Sequence, residues 1–287
     1  FTHSKPVPGS GYGQKTKIMK KLILLLFLTG ISSCNNNSNS GKDASTVSQN
    51  EETEKDISPA VSYAQEIEQA HNKPAWEKQN AVSFDIVLNM GGNEILNGKI
   101  TSQTNSGGIR LDRKDNSSLI FDGEQVYISP ENADDNRARF HMFTWQYFFS
   151  LPFKLTDPGT NWDLLEPEVG KGEVFNRGKL SFDTEVGDSP DDWYIIYQEP
   201  NSQILYAAAY IVTLGKEVDE AEKDPHAIVY HDYQLYEGIP IATRWTFHNW
   251  SEENGIEDQI GEAVISNIKF IEVEESIFQE PEDARLI

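Results

Sequence analysis

The chain has 287 residues, and its 38% hydrophobic content is high enough for most of it to fold around one core. Its net charge of −22 disfavours a nucleic-acid partner, because proteins that bind nucleic acid neutralise phosphates with Lys and Arg. The one cysteine excludes an internal disulfide and the paired thiolates of a structural zinc site or an iron–sulfur cluster.

The N-terminal part has a basic segment followed by a short apolar run. Met19, Lys20 and Lys21 precede the apolar residues 22–31, a run about half as long as the roughly 20 residues of a membrane span. This pattern predicts an export signal. Met19 is the expected start, and residues 1–18 are then an upstream extension that is not native.

The apolar run ends in Ile31-Ser32-Ser33-Cys34, which resembles the lipobox of bacterial lipoproteins. By that resemblance residues 19–33 are a lipoprotein signal peptide, the peptidase cuts before Cys34, and Cys34 Sγ carries a diacylglyceryl group that anchors the protein to a membrane. The alternative is an ordinary secretory signal with a cysteine there by chance.

Residues 34–58 are expected to be a disordered tether behind the lipidated cysteine. The stretch is rich in Asn, Ser, Thr, Gln and Glu, with Val47 and Ile57 as its large apolar residues, so it cannot bury enough surface to offset its ordering entropy. Residues 35–39 carry no acid. By resemblance to envelope lipoproteins, that absence favours the outer membrane, with the protein facing the periplasm.

Ser58 and Pro59 predict the start of a helix, which is expected to end near residues 71–74 because Pro74 disfavours helical geometry in Lys73. Period-two patterns then begin at Phe84 and continue in hairpins. The hairpin segments are 118–128 around Asp122-Gly123, 193–210 and 228–249, and residues 261–273 form a last strand. About nine to eleven strands over residues 59–287 predict an α+β domain with one curved antiparallel sheet, an open half-barrel with helices in its concave face.

Residues 138–149 interrupt the strand pattern and are aromatic on almost every side of a helix. Such a helix must be covered on more than one face, and the concave side of a bent sheet would cover it. One interpretation is simple core filling. The other is a mobile plug that yields to an acyl chain or another apolar ligand, with Phe143, Trp145, Tyr147, Phe148 and Phe149 as the candidate lining residues.

Three segments carry a resemblance to the LolA/LolB-like superfamily, and more closely to an uncharacterised bacterial lipoprotein family with that fold. They are Ile67-Glu68-Gln69-Ala70-His71, the stretch from Tyr147 to Leu155 followed by Asp157-Pro158-Gly159, and the stretch from Gly187 to Tyr194. Asn72 and Lys73 replace an expected Gly-Gly. The resemblance implies an open half-barrel whose apolar concavity, in better-studied relatives, holds lipid acyl chains.

The candidates for chemistry each have a structural explanation. His226 and His231 lie five apart on a strand and so face opposite sides, which argues against a shared metal. His71 is interpreted as a helix cap or packing residue. Asp188, Asp191 and Asp192 could bind calcium through oxygen, but their spacing is more typical of an ordinary turn. The sequence therefore predicts no catalytic residue, no metal and no cofactor.

The leading hypothesis is a non-catalytic, lipid-anchored protein of the cell envelope that binds a lipid or another apolar ligand. Its expected partners are the membrane, through Cys34, and that ligand, with no nucleic acid and with any protein partner left open. The first alternative is a protein-interaction module with a filled core that docks through its acidic outer face. A hydrolase on the same scaffold is the third hypothesis.

Overall fold

The computed structural model describes residues 58–170 and 172–287. The expected extension 1–18, the signal peptide 19–33, Cys34 and the tether up to residue 57 lie outside the described residues. Within the described ranges, no helix is both long enough and apolar enough to cross a membrane.

Within the described ranges the main elements are four α-helices and thirteen strands. The helices are α1 Pro59–Ala70, α2 Lys73–Trp76, α3 Ala138–Ser150 and α4 Val218–Ala221. The strands are β1 Ala81–Met90, β2 Asn93–Gln103, β3 Ile109–Arg113, β4 Ser118–Phe121, β5 Val126–Ser129, β6 Thr160–Gly170, β7 Glu173–Phe182, β8 Tyr194–Gln198, β9 Leu205–Tyr210, β10 His226–Tyr236, β11 Ile239–Ser251, β12 Gly255–Ile271 and β13 Arg285–Leu286.

All thirteen strands belong to one open sheet in the order β13-β5-β4-β3-β2-β1-β12-β11-β10-β9-β8-β7-β6. Every pair of neighbouring strands in this order is antiparallel. The predicted α+β class with an open antiparallel sheet is confirmed. The strand count exceeds the predicted range. One reason is β6, an edge strand whose acids and Pro167 interrupt the alternation of polar and apolar residues that predicts a strand.

The topology explains why an aromatic helix lies inside the sheet. Strands β1 to β5 run outward from the centre toward one edge, where β13 pairs with β5. Strands β6 to β12 return from the opposite edge, and β12 pairs with β1. Helix α3 lies between β5 and β6 in the chain, so it connects the two arms of the sheet. One core cluster contains residues from α1, α3 and both arms, which means that the sheet curves around these helices.

Helix α1 begins as predicted. Ser58 is its N-cap and accepts a hydrogen bond from the Val61 amide, with Pro59 in the first helical turn. The predicted end is also confirmed, but its cause differs: Asn72 adopts a left-handed conformation with φ of 57°, while Lys73 is already the first residue of α2. The Asn72 side chain donates to the Gly238 carbonyl, which supports this conformation.

Tyr63 of α1 ties the helix to the far arm of the sheet. Its hydroxyl donates to the Ile196 carbonyl at 2.8 Å. A Cβ on Gly178 of β7 would lie 2.8 Å from Tyr63 Cε1, so glycine is required there for the close approach of helix and sheet.

Candidate ligand-binding cavity

One end of the concave face is filled by stacked rings. Phe149 stacks on Phe84 with ring centroids 3.9 Å apart, and Trp76 stacks on Phe153 at 4.2 Å. The void beside Phe149 and Phe153 measures only about 10 Å³, roughly the space of one water molecule. No organic ligand fits at this end.

The other end of the concave face contains a cavity of about 590 Å³, within the range of small-molecule sites. It lies between α3 and loops from both arms of the sheet. Eight aromatic residues contribute to its wall: Phe121, Phe140, Phe143, Tyr147, Phe148, Phe182, Tyr194 and Tyr210. Five of these, Phe121, Phe140, Phe143, Tyr147 and Phe182, are only partly buried, so the wall presents apolar surface to whatever enters.

The structure divides the five candidate lining residues between two faces of α3. Phe143, Tyr147 and Phe148 line the cavity. Trp145 and Phe149 do not: Trp145 packs on Phe247 at 5.6 Å, and Phe149 belongs to the stacked end. The reason is helical periodicity, since positions 145 and 149 are one turn apart on the face that meets the sheet.

Phe140 and Thr144 also line the cavity, and neither was among the predicted lining residues. A signal for them was present. Positions 140, 143, 144 and 147 recur at spacings of three and four, which places them on one side of a helix.

Two ion pairs occupy the cavity wall. Arg139 of α3 pairs with Asp188, and its guanidinium lies over the Phe143 ring at 5.4 Å. Lys154 Nζ lies 3.0 Å from Asp157 Oδ2. Both basic groups of the lining are thus held by carboxylates.

Asp192 reaches the cavity wall without a basic partner among the described residues. Its Oδ1 accepts hydrogen bonds from the Thr213 amide at 2.8 Å and from the Thr213 hydroxyl at 2.7 Å. Burial raises the pKa of this carboxyl above its usual range. Its neighbour Asp191 is exposed and lies outside the lining.

The carboxylates of the acidic turn 188–192 do not share one site, because Asp188 pairs with Arg139 while Asp192 accepts a hydrogen bond from Thr213. Over residues 58–170 and 172–287, no group of three or more His, Cys, Asp or Glu side chains is arranged to hold a metal ion.

Tyr147 is an exception to the normal pairing of buried polar groups. Its hydroxyl is buried and has no hydrogen-bond partner among the described residues, which is also true of Ser102 Oγ, Gln198 Nε2 and Trp245 Nε1. Burial raises the pKa of the Tyr147 hydroxyl well above its usual value. Its ring packs against Tyr194 at 5.5 Å and Phe182 at 6.4 Å, both of which line the same cavity.

His71 has a structural role. Nε2 accepts from the Leu205 amide at 3.0 Å, which leaves the proton on Nδ1, 3.2 Å from the Pro240 carbonyl. The ring is fully buried beside Phe153 and Tyr233, and burial lowers its pKa to about 4. The interpretation of His71 as a packing and capping residue is consistent with these contacts.

His226 and His231 are placed on different sides of β10. His226 packs beside Tyr210 of the concave core, with ring centroids 6.2 Å apart. His231 Nε2 lies 2.8 Å from Thr246 Oγ1, and Thr246 alternates with Trp245 and Phe247, which face the concave core.

The segments that carry the family resemblance meet in space. Tyr147, Lys154 and Asp157 from the second segment line the cavity together with Asp188 and Asp192 from the third. In the first segment, Glu68 accepts from the Thr156 amide and hydroxyl and from Lys73 Nζ. Glu68 therefore fixes the chain just before Asp157.

A scan against protein-family models found no match, and a search of curated proteins found none either. Among solved structures, a LolA superfamily protein of Nitrosomonas europaea matches with a TM-score of 0.52 and 10% identity, over 78% of this chain and 99% of that one. A DUF1329 family protein of Desulfovibrio piger matches with a TM-score of 0.46 and 10% identity, over 78% of this chain and 98% of that one. The resemblance in fold stated from the sequence is confirmed: this chain is similar to the LolA superfamily in its architecture, an open antiparallel sheet with helices in its concave face.

Proposed function

We propose that this protein is a non-catalytic protein of the bacterial cell envelope that binds a lipid acyl chain or another apolar ligand in its concave cavity. In this proposal it is anchored through lipidated Cys34 to the outer membrane and faces the periplasm. The observation that carries the proposal is the cavity of about 590 Å³ along the aromatic helix α3.

The character of the wall supports an apolar ligand. Phe143 and Phe182 are partly buried in the free protein, and a ligand would remove their remaining exposed area from water. Each 100 Å² of apolar surface so buried contributes about 2.5 kcal/mol before the costs of association. A chain-like ligand lying along α3 would contact both rings.

Two observations support this proposal over the two alternatives. An interaction module with a filled core would have no space of this size on its concave face. A hydrolase needs a base near a nucleophile, whereas both ring nitrogens of His71 are engaged by main-chain groups and its ring is buried. These contacts favour a binding role.

The proposal is tested with the chain from residue 34 onward, carrying Cys34→Ser and secreted behind a non-lipoprotein signal peptide. Native mass spectrometry with lipid extraction identifies copurifying ligands, and fluorescence titration with N-phenyl-1-naphthylamine measures apolar binding. Val212 lines the cavity, and Val212→Trp should weaken dye binding about tenfold or more by occupying the space.

Leu235→Trp is the matched control. Leu235 is 73% exposed on β10 and does not line the cavity, so this variant should bind dye as the parent does. If the parent carries no lipid and does not bind the dye, the proposed function is wrong.

A further inference from the structure

The charges of the cavity wall are unevenly compensated. Arg139 and Lys154, the basic residues of the lining, are paired with Asp188 and Asp157. Lys73 Nζ also lies 3.5 Å from Asp157 Oδ1. No lining base is therefore left over to receive an anionic ligand.

Two lining carboxylates, in contrast, have no ion-pair partner among the described residues: those of Asp192 and Glu124. Both hydrogen bonds to the Asp192 side chain end on Oδ1, and Oδ2 accepts none from the described residues. A partly buried carboxylate without a cation is stabilised by any donor that approaches it.

Tyr147 supplies a second, independent sign that a polar group belongs here. A buried hydroxyl without a partner costs about 1–3 kcal/mol of folding free energy, and native structures rarely retain one. Among the described residues Tyr147 Oη is such a group, as are Ser102 Oγ, Gln198 Nε2 and Trp245 Nε1, and of these four residues Tyr147 is the one that lines this cavity. A ligand atom that hydrogen-bonds to it would remove the cost.

We propose that the ligand is an amphiphile whose head group donates hydrogen bonds and carries no negative charge, and that this head group lies against Asp192 and Tyr147. This inference rests on the proposed function and specifies its ligand class. The apolar part of the amphiphile then lies along the Phe143 face of α3.

An anionic head group fits the same wall poorly. A phosphate or carboxylate brought beside Asp192 meets like charge in a partly dehydrated space, where such repulsion is much stronger than in water. To be compensated it would have to displace Asp188 from Arg139 or Asp157 from Lys154. An ammonium or hydroxyl group requires no such rearrangement.

The test compares three amphiphiles with the same chain: dodecylamine, monododecanoylglycerol and dodecyl phosphate. Displacement of N-phenyl-1-naphthylamine from the secreted Cys34→Ser chain at neutral pH reports their affinities. The amine and the glyceride should each bind at least about tenfold more tightly than the phosphate.

Two variants locate the head group. Asp192→Asn keeps an oxygen for Thr213 but removes the charge, so it should weaken amine binding about tenfold and leave the glyceride nearly unchanged. Asp191→Asn, at the adjacent exposed carboxylate, should change both affinities much less. Tyr147→Phe should weaken glyceride binding while leaving the melting temperature of the free protein unchanged or raised.

The outcomes distinguish a failure of the proposed function from a failure of the head-group inference. If no probe displaces the dye and the dye itself does not bind, the proposed function fails. If dodecyl phosphate binds as tightly as dodecylamine, or Asp192→Asn leaves the amine affinity unchanged, the cavity still binds apolar chains but the head-group inference is wrong.

Discussion

Glu68, His71 and Tyr147 are three polar side chains whose polar atoms are buried, and they differ in one respect. Both Glu68 oxygens and both His71 nitrogens have hydrogen-bond partners. Tyr147 Oη has none among the described residues. Because buried polar groups are normally paired, the fold alone explains Glu68 and His71, whereas the proposed head group would supply the partner that Tyr147 lacks.

The neutral, buried state of His71 makes stability depend on pH. Its pKa is about 4 in the folded protein and about 6.5 when unfolded, so the unfolded chain binds more protons between these values. Stability therefore falls as pH drops through this window. From pH 7 to pH 5, His71 should account for a loss of about 2 kcal/mol in the free energy of unfolding.

Urea unfolding of the parent and of His71→Gln at both pH values measures this term. The variant should be less stable at pH 7 but lose less stability on acidification. His141, whose pKa burial and the nearby Arg137 and Arg113 also lower to about 4, remains in both proteins and cancels in the comparison. An equal pH dependence in the two proteins would contradict the assignment.

At the scale of the element, α3 has two apolar faces with different tasks. One face packs into the core, with Trp145 against Phe247 and Phe149 stacked on Phe84. The other, with Phe143 and Tyr147, lines the cavity. The helix is aromatic on almost every side because it meets the sheet on one side and the proposed ligand on the other.

The two faces predict different costs of truncation. Phe149→Ala should destabilise the fold by about 3–5 kcal/mol, because it removes the stack on Phe84 and leaves a cavity in a close-packed region. Phe143→Ala should cost less than half as much, since the ring already borders open space, yet it should weaken dye binding. Thermal or urea unfolding of both variants measures the difference, and equal losses would show that the helix is simple core on both faces.

At the scale of the whole molecule, a basic N-terminal segment precedes a strongly acidic remainder of the chain. Residues 1–33 hold five lysines and no acid, which leaves 19 basic and 46 acidic residues after them. Anionic lipid head groups repel a protein surface with this excess of acidic residues. In the proposed function, therefore, the acyl chains on Cys34 and not the protein surface hold the molecule at the membrane.

Replacing the anchor residue tests this proposal. Cys34→Ala should move the protein from the membrane fraction to a soluble or unprocessed form, measured by fractionation and immunoblotting. Ser38→Thr, which lies beyond the cysteine and leaves residues 31–34 intact, is the control and should stay with the membrane. An unchanged membrane fraction for Cys34→Ala would refute anchoring through this residue.

The sequence by itself determined features that neighbours in the chain control. Ser58 caps α1, and Asp122 accepts from the Glu124 and Gln125 amides while Gly123 adopts φ of 101° in the turn between β4 and β5. Caps, tight turns and hydrophobic period depend on contacts a few residues apart, so helix α3 and the hairpins could be predicted.

Tertiary structure alone decided which residues share a site. β6 is a strand because β7 pairs with it despite its acids, and the two faces of α3 became distinct only when the sheet curved around it. Phe121, Tyr147 and Asp192 lie far apart in the chain and meet only at the cavity wall. Neither the pairing of Arg139 with Asp188 nor the unpaired hydroxyl of Tyr147 could be predicted, because both depend on how distant segments pack together.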